Sequence, residues 1–215
     1  MRNLAKDEIE MAAKREAMLE EGFRLFSEKG IETVPMLEVA NASGIGVATL
    51  YRYYNTKLAL VLAIGTREWK KYGECAMKLR KEQDVDSMTA AEELSFYLDF
   101  YIDLYKNHKD LLKFNQNFNN YVQHEGATTE QLKPYVDAIG NIRALFFSIY
   151  DKGKKDKTIK TDMPADKAFA ATSHIMLAVA VRYAQGLLYA DNEADQTEEI
   201  ELVKRMILQQ FVTER

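Results

Sequence analysis

The chain has 215 residues, 47% hydrophobic and 29% charged, with only 10 Gly and 3 Pro, a composition that supports a substantial core and argues against disorder. A net charge of −4 supplies no global positive field, so nucleic-acid binding would have to come from locally placed groups. The single cysteine, Cys75, excludes an internal disulfide and fits a reducing cytoplasm, and the charged start MRNLAKDEIEMAAKRE is unlike a signal peptide.

The expected elements are all helices. The first spans about Asp7 to Lys29, with Leu19, Phe23 and Phe26 on one face and Gly30 ending it. Thr33 or Val34 lies near the next cap, and Pro35 fits the first turn of a second helix that ends near Ala42. From Leu37 to Lys57 the chain reads LEVANASGIGVATLYRYYNTK. Val39, Ala40, Ile45, Leu50 and Tyr54 keep helical spacing on either side of Ser43-Gly44, and Gly44 suits a left-handed turn residue. Two short helices joined by such a turn form a helix-turn-helix, whose second helix, here about Val47 to Tyr54, lies in the major groove of DNA. Asn55-Thr56 caps a fourth helix to about Lys81, with a stripe of Leu58, Val61, Leu62, Gly65, Trp69, Tyr72, Ala76 and Leu79.

After a break at 84–87, the segment from Met88 to His108 is apolar on nearly every side, as expected in the middle of a bundle. Asp110 to Glu125 follows, mixing Phe114, Phe118 and Tyr121 with Asn115, Asn117, Asn119 and Asn120. Thr128 or Thr129 caps the next helix, which carries Pro134 early and runs to Lys152; residues 152–160 read as a charged loop. Helices of about Ala165 to Ala190 and Glu198 to Thr213, joined by an acidic linker, complete an all-α body. The apolar stretch 168–183 holds Thr172, Ser173, His174 and Arg182, so it reads as a buried helix and not as a membrane span.

The segment with Gly30, Val39-Ala40, Ser43-Gly44-Ile45, Thr49-Leu50-Tyr51-Arg52-Tyr53-Tyr54 and Lys57 resembles the DNA-binding segment of TetR-type bacterial repressors over roughly the first quarter of the chain. The resemblance implies a three-helix DNA-binding domain over 1–56, and over 57–215 a helical effector-binding and dimerisation domain. By position it carries DNA contacts onto Met36, Leu37, Gly46, Val47, Ala48, Thr49, Tyr51, Arg52, Tyr53 and Lys57, with Leu50 and Tyr54 in the core beneath them. Gly46 and Val47 stand where the family more often has small polar and Lys or Gln residues, and Met36 and Leu37 where polar phosphate contacts are frequent. Val47 and Ala48 can pack on a thymine methyl but cannot make bidentate hydrogen bonds to a base.

The resemblance also implies a ligand pocket and a two-helix dimer face. Pocket candidates for a small apolar or aromatic effector are Tyr72, Tyr97, Tyr101, Tyr105, Phe114, Asn115, Phe118, Tyr121, Phe146, Tyr150 and His174, although most aromatics of this kind simply fill a core. Candidates for the homodimer interface are Phe169, Met176, Ala180, Tyr183, Ala184 and Leu187 on the penultimate helix, with Val203, Ile207 and Phe211 on the last. His108, His124 and His174 have no metal-ligand spacing, and there is no phosphate loop or nucleophile elbow, so no metal, cofactor or catalytic residue is expected. The expected function is a ligand-responsive repressor that binds a palindromic operator as a homodimer. The competing readings are a helical sensor or carrier with a vestigial reading head, and an architectural DNA-binding protein whose body only dimerises.

Overall fold

The computed structural model describes residues 4–186 and 195–213. Among these, nine helices follow one another: α1 (Leu4–Lys29), α2 (Met36–Ala42), α3 (Val47–Tyr53), α4 (Lys57–Glu82), α5 (Ala90–Asn107), α6 (Lys109–His124), α7 (Thr129–Asp156), α8 (Ala165–Ala184) and α9 (Thr197–Phe211). None of the described helices is long and apolar enough to cross a membrane. Packing divides the chain into two compact units: one holds the chain to Trp69 together with Lys113–Val136, the other Lys70–Leu112 together with the chain from Asp137. The stretch 57–69, placed in the body by sequence, packs with the first unit.

The first unit is built on α1, α2 and α3. The α1 helix ends where the Gly30 amide donates to the Phe26 carbonyl and Gly30 takes φ +87°. Thr33 does not cap α2; its hydroxyl turns back and donates to the Lys29 carbonyl at 2.6 Å, and Pro35 takes the N-cap position. Gly44, at φ +65°, makes the turn between α2 and α3, and the next amide, Ile45 N–H, closes onto the Ala40 carbonyl at 2.9 Å. Phe26, Val34, Val39, Ala40, Leu50, Leu60, Val61 and Ile64 are buried, so the apolar faces of four short segments share one core. Thr56 caps α4 as its sequence suggests, accepting from the Ala59 amide at 3.0 Å.

In the second unit α5 is central, packing against both α8 and α9, which also pack on each other. It opens with a capping box: the Thr89 hydroxyl accepts from the Glu92 amide, and the Glu92 carboxylate accepts from the Thr89 amide at 2.7 Å. Glu93, in the first turn, is buried and pairs with Arg80 from α4 and, at 3.1 Å, with Lys152 from α7. This pairing corrects the expectation of a charged loop at 152–160. The α7 helix continues to Asp156, Lys152 is tied to Glu93, and Gly153 is buried because the returning Ile159 side chain fills the space a Cβ would need. Ile159 then forms an isolated antiparallel bridge with Val212, with the Lys160 amide donating to the Phe211 carbonyl at 2.7 Å, an extended pairing absent from the all-helical reading.

Candidate nucleic-acid interface

The reading surface follows from the way α3 is held. Leu50 and the following Tyr54 are buried, which fixes the rotation of the helix, and Val47, Ala48, Tyr51 and Arg52 are exposed together on the opposite side. Positions i, i+1, i+4 and i+5 share one face of an α-helix, so these four form a continuous strip. Thr49 and Tyr53 are half-buried at its edges, and Gly46 is exposed at the N-cap with no side-chain cap. On α2, Met36 is buried and Leu37 exposed, so of this pair Leu37 alone is presented at the surface.

Lys57, the first residue of α4, is half-buried. Its ammonium donates to the Glu32 carbonyl at 3.2 Å and lies 5.5 Å from the centre of the Tyr121 ring and 5.8 Å from that of Phe26. Partial burial lowers its pKa, and Glu125 and Glu32 oppose that shift. Burial, followed by the same two carboxylates, pushes the Tyr121 phenol up to about 12. An ammonium has three hydrogens, so one committed to Glu32 leaves the group able to meet an anion from solvent while two aromatic faces restrict its swing.

The aromatic residues suggested for an effector site are not gathered in one unit. Phe114, Asn115, Phe118 and Tyr121 belong to the first. There Phe118 stacks on Tyr135 at 4.4 Å between ring centres, and Asn115 Oδ1 accepts from the Tyr135 hydroxyl at 3.0 Å. The buried amide thus has its partner within the chain, and burial pushes the Tyr135 phenol up to about 12. Tyr72, Tyr97, Tyr101, Tyr105, Phe146, Tyr150 and His174 belong to the second unit. The hydroxyls of three are taken up locally: Tyr72 donates to the Phe100 carbonyl at 2.6 Å, Tyr105 to Gln196 Oε1 at 2.9 Å, and Tyr150 to the Met163 carbonyl. Tyr97 differs. Its hydroxyl lies 3.1 Å from that of Tyr101 and 2.9 Å from Ser173 Oγ, with Phe146 edge-on at 5.6 Å, so three neutral hydroxyls meet inside an aromatic surround. Burial drives the Tyr97 pKa upward, keeping the phenol neutral. His174 is exposed on α8 with its ring edge-on to Phe169.

Of the residues suggested for a dimer face, Met176, Ala180, Ala184, Ile207 and Phe211 are buried within the chain, Phe169, Tyr183 and Val203 are half-buried, and Leu187 lies outside the described residues. On the same two helices, Ile175, Leu202 and Met206 are large, apolar and exposed. No group of three or more His, Cys, Asp or Glu side chains able to hold a metal ion occurs among the described residues.

Residues 18–64, which contain the whole turn and both its helices, match the family model of bacterial regulatory proteins of the tetR family. Over this segment the chain is similar to TetR-type transcriptional regulators. It is 28% identical over 159 residues to an HTH-type transcriptional regulator of Staphylococcus aureus, covering 74% of this chain and 77% of that protein. The fold is similar to that of a transcriptional regulator from Saccharomonospora viridis solved in complex with choline, with a TM-score of 0.71 and 17% identity over 93% of this chain and 98% of the other. It is also similar to the regulator FadR from Bacillus subtilis in complex with stearoyl-CoA, with a TM-score of 0.70 and 14% identity over 90% of this chain and 97% of that one.

Three residues that take part in these contacts or faces, Ser173, Tyr135 and Ile175, were not among the sequence candidates, whereas Leu202 and Met206 form the second apolar face that the spacing of the last helix indicates. Ser173 carried a signal, a small polar residue inside the apolar run 168–183, but its partner Tyr97 is 76 positions away. Both faces of the last helix are apolar in sequence; the structure turns Ile200, Ile207 and Phe211 inward and leaves Leu202 and Met206 exposed.

Proposed function

We propose that this chain is a homodimeric TetR-type repressor, releasing a palindromic operator when a small apolar or aromatic effector binds its helical body. The observation that carries the reading is the exposed strip Val47, Ala48, Tyr51 and Arg52, set on a helix whose other side is locked into the core by Leu50. The Tyr51 hydroxyl and the Arg52 guanidinium are suited to phosphate oxygens, as is the restrained Lys57 ammonium. A second copy would cover the exposed apolar side chains Ile175, Leu202 and Met206 on α8 and α9, and a two-fold pair of reading heads addresses a palindrome.

For the effector, the uncharged hydroxyl cluster of Tyr97, Tyr101 and Ser173, surrounded by rings, favours a largely apolar molecule with few hydrogen-bonding atoms. Two proteins of similar fold are in complex with stearoyl-CoA and with choline, so this fold accommodates chemically different small molecules. Control is a population shift: the effector lowers operator affinity by the ratio of its affinities for the DNA-competent and DNA-incompetent states. The α4 helix, which begins at Lys57 and carries Tyr72 in the second unit, is a continuous element through which the two events can be linked.

Two variants test this reading together. Tyr51→Phe should weaken operator binding and leave the dimer intact in sedimentation. Leu202→Glu should yield a folded monomer with much weaker operator binding. A Leu202→Glu protein that remains dimeric would remove α9 from the interface, and undiminished DNA binding by Tyr51→Phe would remove that hydroxyl from the contacts.

A further inference from the structure

We propose that the base-reading part of this interface works through methyl groups: Val47 and Ala48 recognise the 5-methyl groups of thymine at fixed positions of each half-site. The inference rests on the reading that this head binds duplex DNA, and adds the chemistry by which it chooses its sequence. The first residues of a recognition helix are those that reach base edges. Here they are Val47 and Ala48, both exposed, and neither side chain has an atom that can donate or accept a hydrogen bond. Thr49, the next residue, is half-buried, and Gly46 before them has no side chain.

The polar groups of the strip, on Tyr51 and Arg52, come one turn later. Val47 is 37% exposed, and Leu37 on α2 is 54% exposed, so apolar surface stands in water on the side that meets DNA. The thymine methyl is the apolar feature of the major-groove edge, and Val47 in a helix holds essentially one rotamer, so its methyls sit at a defined place. Contact between the two removes apolar surface from water on both sides. A side chain able to hydrogen-bond would have read the donors and acceptors of a base edge instead; this pair reads the thymine methyl.

Operators are first selected from a random duplex library, and each thymine of the enriched site is then replaced singly by deoxyuridine, which removes only the methyl. Affinity is measured at fixed salt for wild type and for Val47→Ala. Losing one buried methyl should weaken wild-type binding about fourfold at one or two positions in each half-site, with the salt dependence unchanged. At the position facing Val47 the penalty should vanish in Val47→Ala. An enriched operator in which no deoxyuridine changes affinity as much as about twofold would overturn methyl readout and leave the DNA-binding reading standing. Penalties of equal size in wild type and Val47→Ala would show that Val47 is not the reader. Absence of any enriched sequence, after any co-purifying small molecule has been removed, would overturn the operator-binding reading itself, and methyl readout with it.

Discussion

Replacing Glu93 by Gln keeps the side chain's size and removes its charge. In the wild-type chain the carboxylate accepts from Arg80 Nη2 and, at 3.1 Å, from Lys152 Nζ, while Lys152 also donates to the Val85 carbonyl at 3.0 Å. Arg80 Nη1 is already buried without a hydrogen-bond partner. In Glu93→Gln two cations therefore face each other with no anion between them. Breaking a fully buried pair costs roughly 3–5 kcal/mol. The Arg80 and Lys152 side chains retain 17% and 29% of their exposure, so water recovers part of that cost. The loss expected here is about 2–3 kcal/mol, or a Tm lowered by roughly 4–12 °C for a chain of this size. Thermal unfolding followed by circular dichroism measures it. A control, Glu93→Leu combined with Arg80→Met and Lys152→Met, should recover most of the loss, because it removes the unpaired charges along with the pair. A Glu93→Gln protein melting within about 2 °C of wild type would refute the argument; so would a triple variant less stable than Glu93→Gln.

Other outcomes follow from the same structure. Gly153→Ala should destabilise the chain by about 1–2 kcal/mol, the overlap with Ile159 outweighing alanine's better helix propensity; a denaturant titration that finds it more stable would contradict the close approach of Ile159. Tyr135 holds its proton to about pH 12, against about 10 for an unfolded tyrosine. The stability that comes from keeping this phenol neutral is complete below pH 10 and is lost as pH rises toward 12, by roughly 2–3 kcal/mol. Unfolding midpoints should therefore fall over that interval in wild type and fall less in Tyr135→Phe. Lys57→Gln should weaken binding to all DNA sequences alike and reduce the slope of log K against log salt by about one contact, whereas an unchanged slope would mean that the ammonium serves only Glu32 and the rings.

Local signals in the chain fixed much of this architecture. Gly44 marks the turn, Thr56 caps the helix that follows it, and Leu50 is buried where its spacing places it. Each of these is decided by a residue and its neighbours within one or two turns. What spacing could not show depends on distant partners. Gly153 looks like a loop residue until Ile159 packs against it, and Lys152 looks solvated until Glu93 comes from 59 positions away. The pocket candidates were chosen by residue type, and type does not say that Phe118 stacks on Tyr135 in one unit while Tyr97 meets Ser173 in the other. Likewise Met176 and Ile175 are adjacent in sequence, yet the first is buried within the chain and the second exposed.

Recognition of a two-fold DNA sequence through α3 is the core of the proposed function. Selection of the purified protein against a random duplex library at moderate salt, followed by sequencing, tests it most directly. The expected result is an enriched palindrome with thymines in each half-site, bound by a dimer. A folded protein that enriches no sequence, after any co-purifying small molecule has been removed, would contradict it.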